Sequence, residues 1–120
     1  LTKFLSTLQS SELNENFDVS LNGYINLDNY AKLSAYTVIT QNYHHDRFHN
    51  MRLFLDPWNG YVNQIIVDPM IGNNINGKFA LDFSTNDLTA LLHRSSEFNH
   101  AKYKSLLYFI KDEEISLSNR

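Results

Sequence analysis

MRLFLDPWNGYVNQIIV, residues 51–67, sets two runs of β-prone residues on either side of a five-residue turn. The flanking runs, 51–56 and 61–67, are rich in the branched and aromatic side chains that suit a pleated strand. Between them DPWNG supplies a proline that presets φ and an Asn-Gly pair that closes the turn. Two strands joined this tightly must be antiparallel, so an antiparallel sheet is the frame on which the rest of the chain is read.

Upstream, LSAYTVITQ (33–41) carries the same β-branched and aromatic content and predicts another strand. In FDVSLNGYINL (17–27), Phe17, Val19 and Leu21 alternate, and Asn22-Gly23 separates two β-prone segments, which predicts a hairpin with a type I′ turn. Leu1, Phe4, Leu5 and Leu8 recur with helical spacing and predict a helix over 2–12. Downstream, KFALDF (78–83) alternates Phe79, Leu81 and Phe83 against Lys78, Ala80 and Asp82, as a half-buried strand does.

The period then changes. Leu88, Leu91 and Leu92 follow Ser84 and Asp87, which have the spacing of a capping box, and Tyr103, Leu106, Leu107 and Ile110 mark a second helix over 97–111 capped by Ser95 or Ser96. Leu91, Leu92, Leu106 and Leu107 are the side chains expected to cover the sheet. The tail from 112 onward is polar and expected to fray. The reading is a single α+β domain over 1–120: an antiparallel five- or six-stranded sheet with an N-terminal helix and two C-terminal helices packed on one face. A shared frame of apolar residues, Asp, Pro and Gly in LFLDPWNG and IIVDPMIG is read as two strands ending in similar turns.

Composition removes several classes of function. With 10 Lys and Arg against 13 Asp and Glu, net charge -3, the chain lacks the basic field of a nucleic-acid or anionic-membrane binder. It has no cysteine, which excludes disulfides, thiol nucleophiles and cysteine-held zinc and makes the cytoplasm the expected compartment. No apolar run approaches the roughly 20 residues that span a bilayer. GNNING (72–77) lacks the Lys-Ser/Thr of a phosphate-binding loop, and no nucleophile elbow is present. No cofactor is expected.

In an antiparallel meander the loops sort to two ends of the sheet. One end receives QNYHHDRFHN (41–50), with His44, His45, Asp46, Arg47 and His49, together with Asp68. Neutral imidazoles and a carboxylate are zinc-ligand types, and a histidine beside an arginine could serve phosphoester hydrolysis. The spacing matches no metal motif, and a solvated turn is the plainer reading, so no metal site is assigned. Asp56 and Asp68, at opposite ends of one strand, would lie roughly 20 Å apart and cannot act as a catalytic pair.

The other end gathers Asp28, Tyr30, Asp56, Trp58, Tyr61 and Asp87. Aromatic side chains anchor interfaces, and carboxylates around them complement a basic partner. The expectation from sequence is therefore a small protein-binding module acting by occlusion through these residues, for example an immunity-type inhibitor neutralising a basic toxin or nuclease. A small hydrolase working through His44, His45 and His49 is the alternative. A third reading is an adaptor domain of a larger chain, which an opening Leu1 in place of Met would suit.

Overall fold

The computed structural model describes residues 3, 6, 21–42, 50–67 and 81–118. In chain order it contains α1 (Leu27–Thr40), β1 (Arg52–Leu55), β2 (Val62–Ile65), α2 (Asp87–Leu92) and α3 (Ser96–Ser118). Helix and strand content is mixed, in keeping with an α+β chain, but the sheet among the described residues is a two-stranded antiparallel hairpin rather than five or six strands.

The largest correction is α1. Of residues 33–41, read as a strand from their β-branched content, 33–40 form the second half of this helix and Gln41 caps it. Leu27, Tyr30, Ala31, Ser34, Ala35 and Val38 are buried, with Thr37 beside them, and the spacing of three and four among the first six marks one helical face. Burial along that face outweighs the few tenths of a kcal/mol per residue by which Thr, Val and Ile disfavour helix. Asn26 opens the helix by accepting the Asn29 N–H on its side chain, and Asp28 sits favourably in the first turn. The Thr37 and Thr40 hydroxyls donate to the carbonyls of Leu33 and Tyr36, so neither is left unsatisfied. Gln41, in the left-handed region at φ 56°, ends the helix.

The Asn22-Gly23 hairpin is also overturned. Leu21 and Asn22 are helical, and the N–H groups of Tyr24 and Ile25 both donate to the Leu21 carbonyl. Gly23 therefore helps to close a helical turn that leads into the Asn26 cap; residues 17–20 lie outside the described residues. At the expected third-last element, Leu81 and Asp82 form a turn and Phe83 is not in a strand, while 78–80 lie outside the described residues. Of the N-terminal helix, Lys3 and Ser6 are described, and both are helical.

The 51–67 hairpin and both C-terminal helices stand where the sequence put them. Two boundaries differ: Asn86 rather than Ser84 caps α2, accepting the Thr89 N–H at 2.9 Å, and α3 continues through residues expected to fray. Ser95 caps α3 through its hydroxyl oxygen, which accepts the Phe98 N–H at 2.9 Å. One core cluster joins Leu21, Ile25, Leu27, Tyr30 and Ala31 to Val62, Leu88, Leu92 and Phe98; a second joins Ala35, Val38 and Leu106. The principal packing is thus α1 along α3, with β2 touching α1 through Val62. The leucines expected to cover a sheet do not do so: Leu92 is buried in the first cluster and Leu106 against Ala35 and Val38 of α1, Leu91 is half-buried, and Leu107 is exposed.

Candidate functional site

The β1–β2 turn is fixed by its own sequence. Asp56 accepts the Trp58 N–H on its carboxylate at 2.9 Å and the Gly60 N–H on its carbonyl at 2.8 Å, while its own N–H donates to the Tyr61 carbonyl at 2.8 Å. Asn59 accepts the Tyr61 N–H on its side chain at 2.8 Å. Gly60 at φ 74° supplies the left-handed step that ends such turns and lets the strands resume their pairing. Asp56, Asn59 and Gly60 of DPWNG are each accounted for by this geometry.

Trp58 has no such role. At 95% exposure it is held out in water on a hydrogen-bonded turn. The register pairs Arg52 with Ile65, Leu53 with Gln64, Phe54 with Asn63 and Leu55 with Val62. Leu53, Leu55, Val62 and Gln64 therefore share one face, and Arg52, Phe54, Asn63 and Ile65 the other. Val62 alone of these eight is buried, and Leu53, Phe54, Leu55, Ile65 and Ile66 are all exposed. The hairpin thus presents apolar side chains from both faces, which is more apolar display than scattered surface leucines would give.

The six residues singled out from sequence separate. Asp56, Trp58 and Tyr61 come together in the turn. Tyr30 belongs to the core: it is buried, its hydroxyl donates to the Val62 carbonyl at 2.9 Å, and burial raises its phenol above the usual range. Asp28 lies in the first turn of α1, ion-paired with Lys32 at 2.6 Å, where with Tyr108 and Phe109 it lines a cleft of about 530 Å³ between α1 and α3. Asp87 occupies the first turn of α2. The sorting of loops to two ends required 33–41 to be a strand, and with that segment helical it no longer holds. Exposed Phe54, Leu53 and Leu55 were missed, because three consecutive apolar residues in a strand ordinarily signal burial on both faces.

His44, His45, His49 and Asp68 lie outside the described residues. Among the described residues no group of histidines and carboxylates is arranged to hold a metal ion. His93 is engaged in a different way. Its Nδ1 lies 3.0 Å from Asn99 Oδ1, its carbonyl accepts from Asn99 Nδ2 at 2.7 Å, and Phe98 meets the ring edge-on. An Nδ1–H donated to Asn99 leaves Nε2 as an acceptor, and the Lys102 ammonium, 3.2 Å away, is the donor that fits it.

Lys102 is fully buried. Burial pushes its ammonium down to about 8, against a smaller opposing pull from Asp82. The His93 imidazole is held below its ordinary value, first by burial and then by the Lys102 charge, while the Asn99 hydrogen bond and Asp82 act the other way. A cationic lysine beside a neutral imidazole is the arrangement these effects favour. It ties the end of α2 to α3.

Among the described residues no helix is long and apolar enough to cross a membrane. Comparison with protein-family models, with curated proteins and with solved structures finds no match for the chain.

Proposed function

We propose that the protein is a cytoplasmic protein-binding module that acts by occlusion, with the β1–β2 turn as its contact surface and Trp58 as the anchor. The observation that carries this reading is the exposure of Trp58 on a turn whose Asp56, Asn59 and Gly60 are explained by folding. A large aromatic side chain with only two rotatable bonds, carried on a backbone fixed before contact, loses little entropy on burial, which is the property of an interface hot spot. Leu53, Phe54 and Leu55 extend the apolar area beside it. The net charge of -3 supports a basic partner, which an acidic chain would attract from a distance. An inhibitor of a basic toxin or nuclease is one class of protein with this design.

The test begins with capture of partners by the tagged protein and ends with the purified partner in titration. Trp58→Ala should raise the dissociation rate and weaken binding at least about tenfold, or about 1.4 kcal/mol, with the unfolding midpoint unchanged. Raising salt should slow association. Equal affinity of wild type and Trp58→Ala would end the reading.

A further inference from the structure

The two strands of the hairpin have different outer edges. In an antiparallel pair, the residues of non-hydrogen-bonded positions point their N–H and C=O groups outward. The bond from Asp56 N–H to Tyr61 carbonyl sets the phase, so Leu55 with Val62 and Leu53 with Gln64 are the outward pairs. On β2 the outward edge is closed at Val62, whose N–H donates to the Tyr24 carbonyl at 2.7 Å and whose carbonyl accepts from the Tyr30 hydroxyl at 2.9 Å. On β1 the outward groups of Leu53 and Leu55 have no partner among the described residues. Their side chains are exposed as well. An open, apolar strand edge is a template for a further strand.

We propose that β1 pairs with β1 of a second copy of this chain, antiparallel about a two-fold axis at Phe54, to make a four-stranded sheet across a dimer. The chain's own residues fix the register. Met51, the next outward position, packs against the helical core and its carbonyl already accepts from Arg52, which confines the open edge to Leu53 and Leu55. Using both residues of both copies sets Leu53 opposite Leu55 of the partner subunit and the reverse, with four backbone hydrogen bonds following from the geometry of antiparallel pairs.

In that register Phe54 faces its own copy across the axis, in a non-hydrogen-bonded pair where side chains approach most closely. Arg52 falls opposite Asp56 of the partner subunit, twice by symmetry. Opposite charges therefore meet at both ends of an aromatic pair, and Asp56, whose one oxygen holds the Trp58 N–H, has its second oxygen for the guanidinium. The same patch being complementary to itself is what a two-fold interface requires. Trp58, beyond the paired residues, stays free at either end of the sheet, so the dimer does not depend on the partner-binding reading and would present two copies of that anchor.

Sedimentation of the purified chain over a concentration series reaching about 200 µM reads the association, since an interface of this small size is expected to be weak. A monomer–dimer equilibrium is expected; a monomer throughout overturns the proposal. Leu53→Pro removes one outward N–H without touching the bonds between β1 and β2, and should leave a folded monomer by circular dichroism. A folded Leu53→Pro protein that still dimerises overturns the proposal and points to another surface. If Leu53→Pro does not fold, Arg52→Glu decides: it places like charges opposite each other twice and should weaken the dimer about tenfold at low salt, and an unchanged dimer overturns the pairing. Because the chain has no cysteine, Phe54→Cys provides a position-specific check. With oxidised glutathione it should give a covalent dimer much faster than Trp58→Cys, since pairs across the axis lie within disulfide reach. Equal rates at the two positions would contradict the register.

Discussion

Phe98 and Phe54 carry the same side chain into opposite circumstances. Phe98 is fully buried among α1, α2 and α3, with the His93 ring against its edge, whereas Phe54 is 48% exposed in the middle of β1. Apolar residues of this chain have two separate uses: Leu88, Leu92, Phe98 and Leu106 on the helices hold it together with Val62 of β2, whereas Leu53, Phe54, Leu55 and Ile65 of the hairpin are presented outward. Truncation separates the two uses most sharply: Phe98→Ala should cost about 3–5 kcal/mol through lost contacts and a residual cavity, and Phe54→Ala below about 1 kcal/mol in dilute protein. Equal losses in chemical denaturation would break the comparison by making the hairpin part of the core.

A smaller effect is expected at the polar seam inside the helical region. Folded, Lys102 releases its proton near 8 rather than near 10.5, so between these values the unfolded chain binds more protons and stability rises with pH. From pH 8 to 10 the gain should be about 2–3 kcal/mol, and Lys102→Met should abolish the slope. Above about 10 the buried Tyr30 opposes it, since its phenol keeps its proton in the fold and loses it on unfolding. At the acid side, His93 is held neutral, so stability should decline as pH falls below the ordinary value of 6.5. A flat stability profile from pH 8 to 10 would show that the Lys102 ammonium is solvated.

On the hairpin, the backbone matters more than the side chains. Gly60→Ala forces an L residue into φ 74°, and because a Cβ there meets nothing within 4 Å, the whole cost of about 1–2 kcal/mol is backbone strain. Trp58→Ala, a far larger deletion two residues away, should change stability by less than about 0.5 kcal/mol. A reversal of that order, read in paired denaturation curves, would mean that the indole packs on the fold.

The hairpin was legible because DPWNG encodes its geometry locally: the Asp56 and Asn59 side chains each accept a backbone N–H two positions on, and Gly60 supplies the left-handed step. α2 and α3 were legible for a related reason, since leucines at helical spacing and a capping Ser95 act over one or two turns. α1 was not. Its sequence mixes Thr, Val, Ile and Tyr into a helical spacing of buried residues, and the composition favoured strand while the spacing, read over 27–38, favoured helix. Asn22-Gly23 misled because an Asn-Gly pair suits more than one kind of turn. At the site, Trp58, Asp56 and Tyr61 were found together because they are near in sequence. Asp28, Tyr30 and Asp87 were joined to them through a sheet order that the helical 33–41 segment removes.

The turn displays its indole to solvent, and the single tryptophan makes that exposure directly measurable. Iodide quenching of the folded protein's tryptophan fluorescence, in dilute solution at neutral pH, reports on Trp58 alone. Quenching is expected to be close to that of the unfolded chain, as a side chain 95% exposed requires. An indole shielded from iodide in the isolated folded protein would contradict it.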